Sequence, residues 1–312
     1  VIDYEQLERR IGRVHLERRL NRQSLHVSEV FGPGRTRFHL ERMRRLHAVI
    51  RGTLKAAGMY RRGLRNTLDV RVRRQRVLLP SLPEAFDGFT VLHLSDLHLD
   101  AHPPVTDVLI GKIRALDYDH AVVTGDFRES TFESFDRAVE LTLRLKSALP
   151  GPVHAVLGNH DFIEMTDPLE EAGLRFLINE GVSIRRGDDM IYLAGVDDPH
   201  FYETENLDKA LSGGIDAPVR ILLAHSPELY RKAAAGNVDL YLCGHTHGGQ
   251  ICLPGGVAVA GNVRCPRAFR HGLWRFDEMQ GYTSVGAGAS SVPVRYNCPP
   301  EITLIRLERG QL

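Results

Sequence analysis

The chain has 312 residues, of which 43% are apolar and 25% charged, and its formal net charge is +1. That is an ordinary globular composition, with room for one large domain plus an extension. No run approaches the ~18 consecutive apolar residues that a membrane helix needs, and no secretory signal pattern is visible. The chain opens on Val1 rather than Met, so an upstream segment, an anchor included, is left open. The cysteines at 243, 252, 265 and 298 form no Cys-x-x-Cys pair. A structural zinc site is therefore disfavoured, and free thiols in a reducing compartment are expected.

The small net charge hides a split. Residues 1–80 carry 20 Arg and Lys against 7 Asp and Glu, and the remainder carries 20 against 32. In the first 65 residues, Leu7, Ile11, Val14 and Leu16 recur at near-helical spacing, as do Met43, Leu46, Ile50 and Leu54. Gly32-Pro33-Gly34 breaks the two stretches apart, which predicts two amphipathic helices and a turn. Three roles stay open for this basic segment. It can pack on the core or on a second copy of the chain, or it can dock on anionic lipid headgroups. Nucleic acid is the third partner, but aromatics are few and no nucleic-acid motif is present.

From Thr67 the character changes. Residues 68–72 alternate as a half-buried strand does. Buried strands are expected at 90–94, 120–123, 153–157, 221–223 and 240–243, and helices at 104–115, 132–149, 167–171 and 228–235. Gly187-Asp188-Asp189 marks a hairpin between strands at 182–186 and 190–194. Further strands fall at 257–259, 272–276, 282–285 and 302–307. Strand–helix alternation followed by a strand-rich tail predicts an α/β fold, with two mixed sheets face to face and helices outside.

Five of the expected buried strands end in motifs rich in Asp, His and Asn. They are Asp96-Leu97-His98, Gly125-Asp126, Gly158-Asn159-His160-Asp161, Ala224-His225-Ser226 and Gly244-His245-Thr246-His247-Gly248. Each has a structural reading. Asp96 and His98 can cap a strand end, Gly158–Asp161 can be a simple turn, and His225 can be a satisfied core histidine. Together they deliver hard and borderline ligands repeatedly from strand ends, which gathers distant residues around cations.

The set resembles the calcineurin-like metallophosphoesterase superfamily from roughly Thr67 onward. The resemblance implies a four-layer sandwich for residues 66–312, with residues 1–65 as a basic helical extension. It implies two divalent cations, Mn²⁺ favoured and Fe or Zn²⁺ compatible with mixed N/O ligands. Asp126 would bridge them. Asp96, His98 and His247 would complete one set of ligands, and Asn159, His225 and His245 the other. A hydroxide held between the cations would attack a phosphoryl centre, with His160 contacting substrate as acid or charge stabiliser. Glu129 stands where the superfamily often has an Asp supporting that histidine, and Asp161 is a second candidate for the role. Arg128 and Arg295 are candidates for phosphate binding.

His247-Gly248-Gly249-Gln250, Pro293-Val294-Arg295 and Pro300-Glu301-Ile302 resemble the bacterial phosphodiesterase branch, whose members often carry an N-terminal membrane anchor. The implied activity is hydrolysis of a phosphodiester or phosphoanhydride, with lipid-linked and nucleotide-sugar substrates foremost. The implied location is cytoplasmic, at the inner membrane face. A phosphomonoesterase is the alternative. So is a non-catalytic scaffold, which would require loss of ligands, and none is lost.

Overall fold

Short apolar runs form the inner strands, and the alternating stretches form the outer ones. The computed structural model describes residues 2–28, 40–131, 134–258 and 263–310. In chain order the strands are β1 Arg71–Leu79, β2 Thr90–Leu94, β3 His120–Thr124, β4 Val153–Val156, β5 Leu174–Phe176, β6 Glu180–Arg186 and β7 Asp189–Gly195. They continue with β8 Arg220–Leu223, β9 Leu240–Cys243, the short pair β10 Cys252–Leu253 and β11 Val257–Ala258, then β12 Gly272–Phe276, β13 Met279–Thr283 and β14 Glu301–Arg309. One six-stranded sheet has the order β1-β14-β2-β3-β4-β5 and the other β12-β13-β9-β8-β7-β6. Both are mixed: β2 through β5 run parallel, β14 is antiparallel to β2, and β6 and β12 are antiparallel edge strands.

The inner faces meet in a cluster that includes Val77, Val91, Val122 and Val156 from the first sheet and Ile191, Leu193, Ile221 and Leu240 from the second. The opposite faces of β2 and β3, bearing Leu92, Leu94, Ala121 and Val123, are buried under helices. Burial on both sides explains why these strands read as continuous apolar runs rather than alternating ones. The covering helices are α1 Pro104–Ile113, α2 Asp136–Lys146 and α3 Thr166–Glu171 on the first sheet. On the second they are α4 Leu207–Leu211 and α5 Tyr230–Ala235. The layers are therefore helix, sheet, sheet, helix.

The N-terminal segment begins with two helices, Tyr4–Ile11 and Arg13–Ser28, which we call αA and αB. Gly12 separates them at φ 91°, a conformation that favours glycine. The break turns the chain so that Leu7, Ile11 and Leu16 all join the outer cluster of the first sheet, where one straight helix is expected from spacing alone. Helices αC Leu40–Ala56 and αD Tyr60–Asn66 follow and lead into β1. No described helix is long and apolar enough to cross a membrane.

Several boundaries differ from expectation. The strand expected at 68–72 starts at Arg71, because Thr67, Leu68 and Asp69 donate their N–H groups back to the end of αD as turns. The helix expected over 228–235 is a 3₁₀ turn, Pro227–Leu229, before α5. The Gly32-Pro33-Gly34 break, the side chains of Met43 and Leu46, residues 132 and 133 of the expected 132–149 helix, and Val259 lie outside the described residues.

Candidate metal centre

All seven ligand candidates stand just past the carboxyl ends of neighbouring strands. Asp96 and His98 follow β2, Asp126 follows β3 and Asn159 follows β4, while His225 follows β8 and His245 and His247 follow β9. The two sheets thus present their loops to one another at a common edge, the place where open α/β sheets bind ligands. Asp96, His98, Asp126, His245 and His247 all have positive φ, between 39° and 71°. They are five of the twelve non-glycine residues with positive φ among those described. Each such residue costs about 1–3 kcal/mol, and strain of this kind concentrates at functional sites. Two glycines make the approach possible. A Cβ on Gly158 would meet the Asp126 carboxylate, and one on Gly244 would meet that of Asp96.

The side chains fall into two sets that share Asp126. Ligand atoms of Asp96, His98, Asp126 and His247 lie within 4.8 Å of one another, and so do those of Asp126, His225 and His245. In the first set His98 Nε2 is 3.3 Å from His247 Nε2 and 3.5 Å from Asp126 Oδ2. In the second, Asp126 Oδ2 is 3.2 Å from His225 Nε2, and Asn159 Oδ1 is 3.0 Å from His225 Nε2 and 2.8 Å from His245 Nδ1. Backbone carbonyls select the tautomers. His98 Nδ1–H donates to Arg128 C=O and His225 Nδ1–H to Thr124 C=O, both at 2.8 Å, which turns each Nε2 toward the shared carboxylate. Ligating histidines are oriented in this way by their outer nitrogen.

The electrostatics call for positive charge. Asp96 and Asp126 are almost fully buried. Burial alone would lower the His98 pKa, but Glu129, Asp126 and Asp96 outweigh it and raise it to about 10. His225 rises to about 10 as Asp126 and Asp96 overcome the same burial effect. A pocket that would protonate two buried imidazoles against their desolvation cost is one in which cations can take the place of those protons. Burial, with His98 and Arg295 nearby, keeps His247 neutral, the form that ligates. The donor set of imidazoles, carboxylates and one amide oxygen fits Mn²⁺, Fe or Zn²⁺.

The other candidates take distinct places. His160 stands edge-on to His98, with ring centroids 5.0 Å apart. Its Nδ1–H donates to the backbone C=O of Glu129 at 2.7 Å, and its own N–H donates to Asp126 Oδ1. The Glu129 carboxylate goes elsewhere, to His98 Nδ1 at 3.0 Å and to the Ser291 N–H. Asp161 is buried and accepts the N–H groups of Gly158, Asp126 and Phe127, so it ties the third motif to the second rather than holding the His160 ring. Arg295 is fully buried, its guanidinium donating to the carbonyls of Gly288 and Val285 and lying 3.3 Å from His247 Nδ1, which closes the loop behind that histidine. Arg128 is buried with its guanidinium 4.5 Å over the Phe162 ring.

Three groups near the centre were not among the candidates. His200 packs on His245 with ring centroids 4.1 Å apart and has its Nδ1 3.2 Å from the Glu228 carboxylate. Asp197, just past β7, is fully buried. Arg19 of αB reaches it at 3.0 Å. Asp197 and Asp198 follow an apolar strand as the other motifs do, and that was a signal to find them. Arg19 carried none, because its partners are 142 and 178 residues away.

The sequence is similar to those of several known proteins. The chain is 28% identical over 278 residues to the uncharacterized metallophosphoesterase YkuE of Bacillus subtilis, covering 84% of this chain and 94% of that protein. It is 29% identical over 237 residues to the phosphodiesterase YaeI of Escherichia coli, covering 70% and 82%. A transmembrane protein with metallophosphoesterase domain from Bos taurus is 32% identical over 264 residues; 78% of this chain spans 56% of that protein. The calcineurin-like phosphoesterase family matches residues 89–249. The matched stretch starts ahead of Asp96 and ends just past His247, enclosing every ligand loop and more than half of the chain, which therefore belongs to the calcineurin-like phosphoesterases.

Proposed function

We propose that this chain hydrolyses phosphodiester or phosphoanhydride bonds using two divalent cations, Mn²⁺ foremost, on a lipid-linked or nucleotide-sugar substrate at an anionic membrane surface. Family membership makes it a metal-dependent phosphoesterase. The observation that carries the two-cation reading is the Asp126 carboxylate, common to both ligand sets. Asp96, His98 and His247 would hold one cation, and Asn159, His225 and His245 the other. When bound, such a pair polarises phosphoryl oxygens and lowers the pKa of water.

The chain's own residues supply the rest. Glu129 C=O fixes the His160 tautomer, so Nε2 is the nitrogen available to meet a phosphoryl or leaving oxygen. Asp161 keeps the Asp126 and Asn159 loops in register through its four N–H contacts, from Gly158, Asp126, Phe127 and Arg128. The preference for diesters is supported by the phosphodiesterase named among the relatives.

The membrane surface is supported by αC and αD. Val49 and Met59 are 63% and 42% exposed. Lys55, Arg61, Arg62 and Arg65 are exposed around them. Helix αC also borders the centre: Arg51 Nη2 donates to Ser291 C=O, and the Ser291 N–H donates to the Glu129 carboxylate.

The test is elemental analysis after Mn²⁺ loading and removal of loose metal, with turnover of bis(p-nitrophenyl) phosphate and p-nitrophenyl phosphate on the same sample. Two ions per chain and faster diester cleavage are expected. One ion or none would overturn the two-cation reading, and faster monoester cleavage would overturn the diester preference.

A further inference from the structure

Arg19 is fully buried, rare for an arginine, and its guanidinium is used on every side. Nη1 donates to Asp197 Oδ1 at 3.0 Å, Nη2 to the backbone C=O of Asp161 at 2.7 Å, and Nε to Gln23 Oε1 at 3.0 Å. The plane lies 3.4 Å from the centroid of the Tyr202 ring. These partners belong to different sheets. Asp161 ends the third ligand motif of the first sheet, three residues from Gly158, and its carboxylate holds the Asp126 loop. Asp197 follows β7 of the second sheet, beside β8, which carries His225. It also accepts from His15 Nε2 of αB and from Thr204 Oγ1. Helix αB adds a further tie: Gln23 Oε1 accepts the Ile163 N–H.

We infer that Arg19 is a positioning residue of the metal centre, a clamp by which helix αB sets the spacing between the ligand loops of the two sheets. The ligand set that spans the sheets, Asn159 from the first with His225 and His245 from the second, depends on it most. The set of Asp96, His98 and His247 also spans the sheets, but the partners of Arg19 lie on the loops of the other set: Asp161 follows Asn159 in the third motif and Asp197 follows the strand beside β8, while Arg295 separately closes the His247 loop. The basic N-terminal segment is thus divided in use, αB belonging to the frame of the centre and αC with αD facing outward.

The inference rests on the two-cation reading, and the experiment separates the two. It uses the full chain with Arg19→Lys and with the double change Arg19→Met/Asp197→Asn. Mn²⁺ affinity is followed by EPR titration, with melting temperature and bis(p-nitrophenyl) phosphate turnover alongside. Arg19→Lys keeps the charge but loses the planar fork that reaches two partners at once. The double change leaves no buried carboxylate without its cation. Both variants should melt within a few degrees of wild type and bind the first Mn²⁺ as wild type does. They should bind the second ~10-fold or more weakly and lose ~10–100-fold in kcat with little change in KM, the scale expected when reacting groups shift by about 1 Å. Wild-type affinity for the second ion in a folded variant overturns the clamp alone. Unfolding of both variants also overturns it, since Arg19 is then a stability residue. A wild-type chain that binds a single Mn²⁺ overturns the two-cation reading and the clamp together.

Discussion

Asp126 sits at φ 56° with its carboxylate buried between imidazoles on two sides. Burial opposes its ionisation, but His225 and His160 outweigh that and hold its pKa well below the usual carboxylate range. Asp126→Asn replaces an anion with an amide that bridges poorly, so metal content and turnover should both fall; retention of two Mn²⁺ by elemental analysis would contradict the assignment. His160→Asn should leave both ions bound and cut kcat by about 10²–10⁴, the range for acid–base or charge stabilisation. A larger loss for substrates with poor leaving groups marks proton donation, equal losses mark charge stabilisation, and loss of metal means His160 is a ligand. The candidate ligands were legible as a group because each stands within a few residues of an apolar run. What Glu129 does was not. Its longer side chain reaches past the His160 ring to His98, and only the folded turn shows that its carbonyl and carboxylate serve different histidines.

Among the described side chains, αC and αD present Arg51, Lys55, Arg61, Arg62 and Arg65 to solvent, whereas αA and αB turn Arg10 and Arg19 inward and leave Arg9, Arg13 and Arg18 exposed. Arg10 pairs with Glu170 and Glu180 as Arg19 pairs with Asp197. Composition counts these arginines together, and only tertiary contacts sort them. The same limit explains the elements that spacing missed. β5 has three residues and α4 five, too few for a period to show. Replacing Arg61, Arg62 and Arg65 by Gln should weaken binding to anionic vesicles and leave turnover of a small soluble diester within a few-fold. Binding by the unaltered chain should fall with salt, since exposed charges are screened beyond about 8 Å at physiological ionic strength. Cosedimentation that ignores vesicle charge at low salt would remove the membrane surface from the proposal.

Across the whole molecule, the strained ligand loops and the buried carboxylates both favour bound cations, so chelation should lower the melting temperature and Mn²⁺ should restore it. A scan unchanged by chelator would show that the loops hold without ions. Far from the centre, the imidazoles of His120 and His154 stack on β3 and β4, centroids 4.9 Å apart. Burial pushes His120 down to about 4 and His154 to about 3. Unfolded histidines titrate near 6.5, so below that pH the unfolded chain binds more protons. The pair's contribution is therefore intact above about pH 6.5 and declines as pH falls toward 4. Urea unfolding at pH 7.5 and 5 should show a smaller loss for His120→Gln/His154→Gln than for wild type, and equal losses would exclude the pair as the cause.

The ladder order carries one more consequence. β14 lies between β1 and β2, pairing Arg71–Leu79 with Glu301–Arg309 residue for residue. During synthesis the nascent chain therefore holds β1 and β2 apart, with the slot between them vacant, until residues some 230 positions after β1 leave the ribosome. The first sheet cannot close before then, and the loop bearing Asp96 and His98 hangs from a strand that still lacks one neighbour. The setting of that loop is thereby deferred until Glu301–Arg309 has been made, and a chain cut short before residue 300 keeps an open seam beside β2.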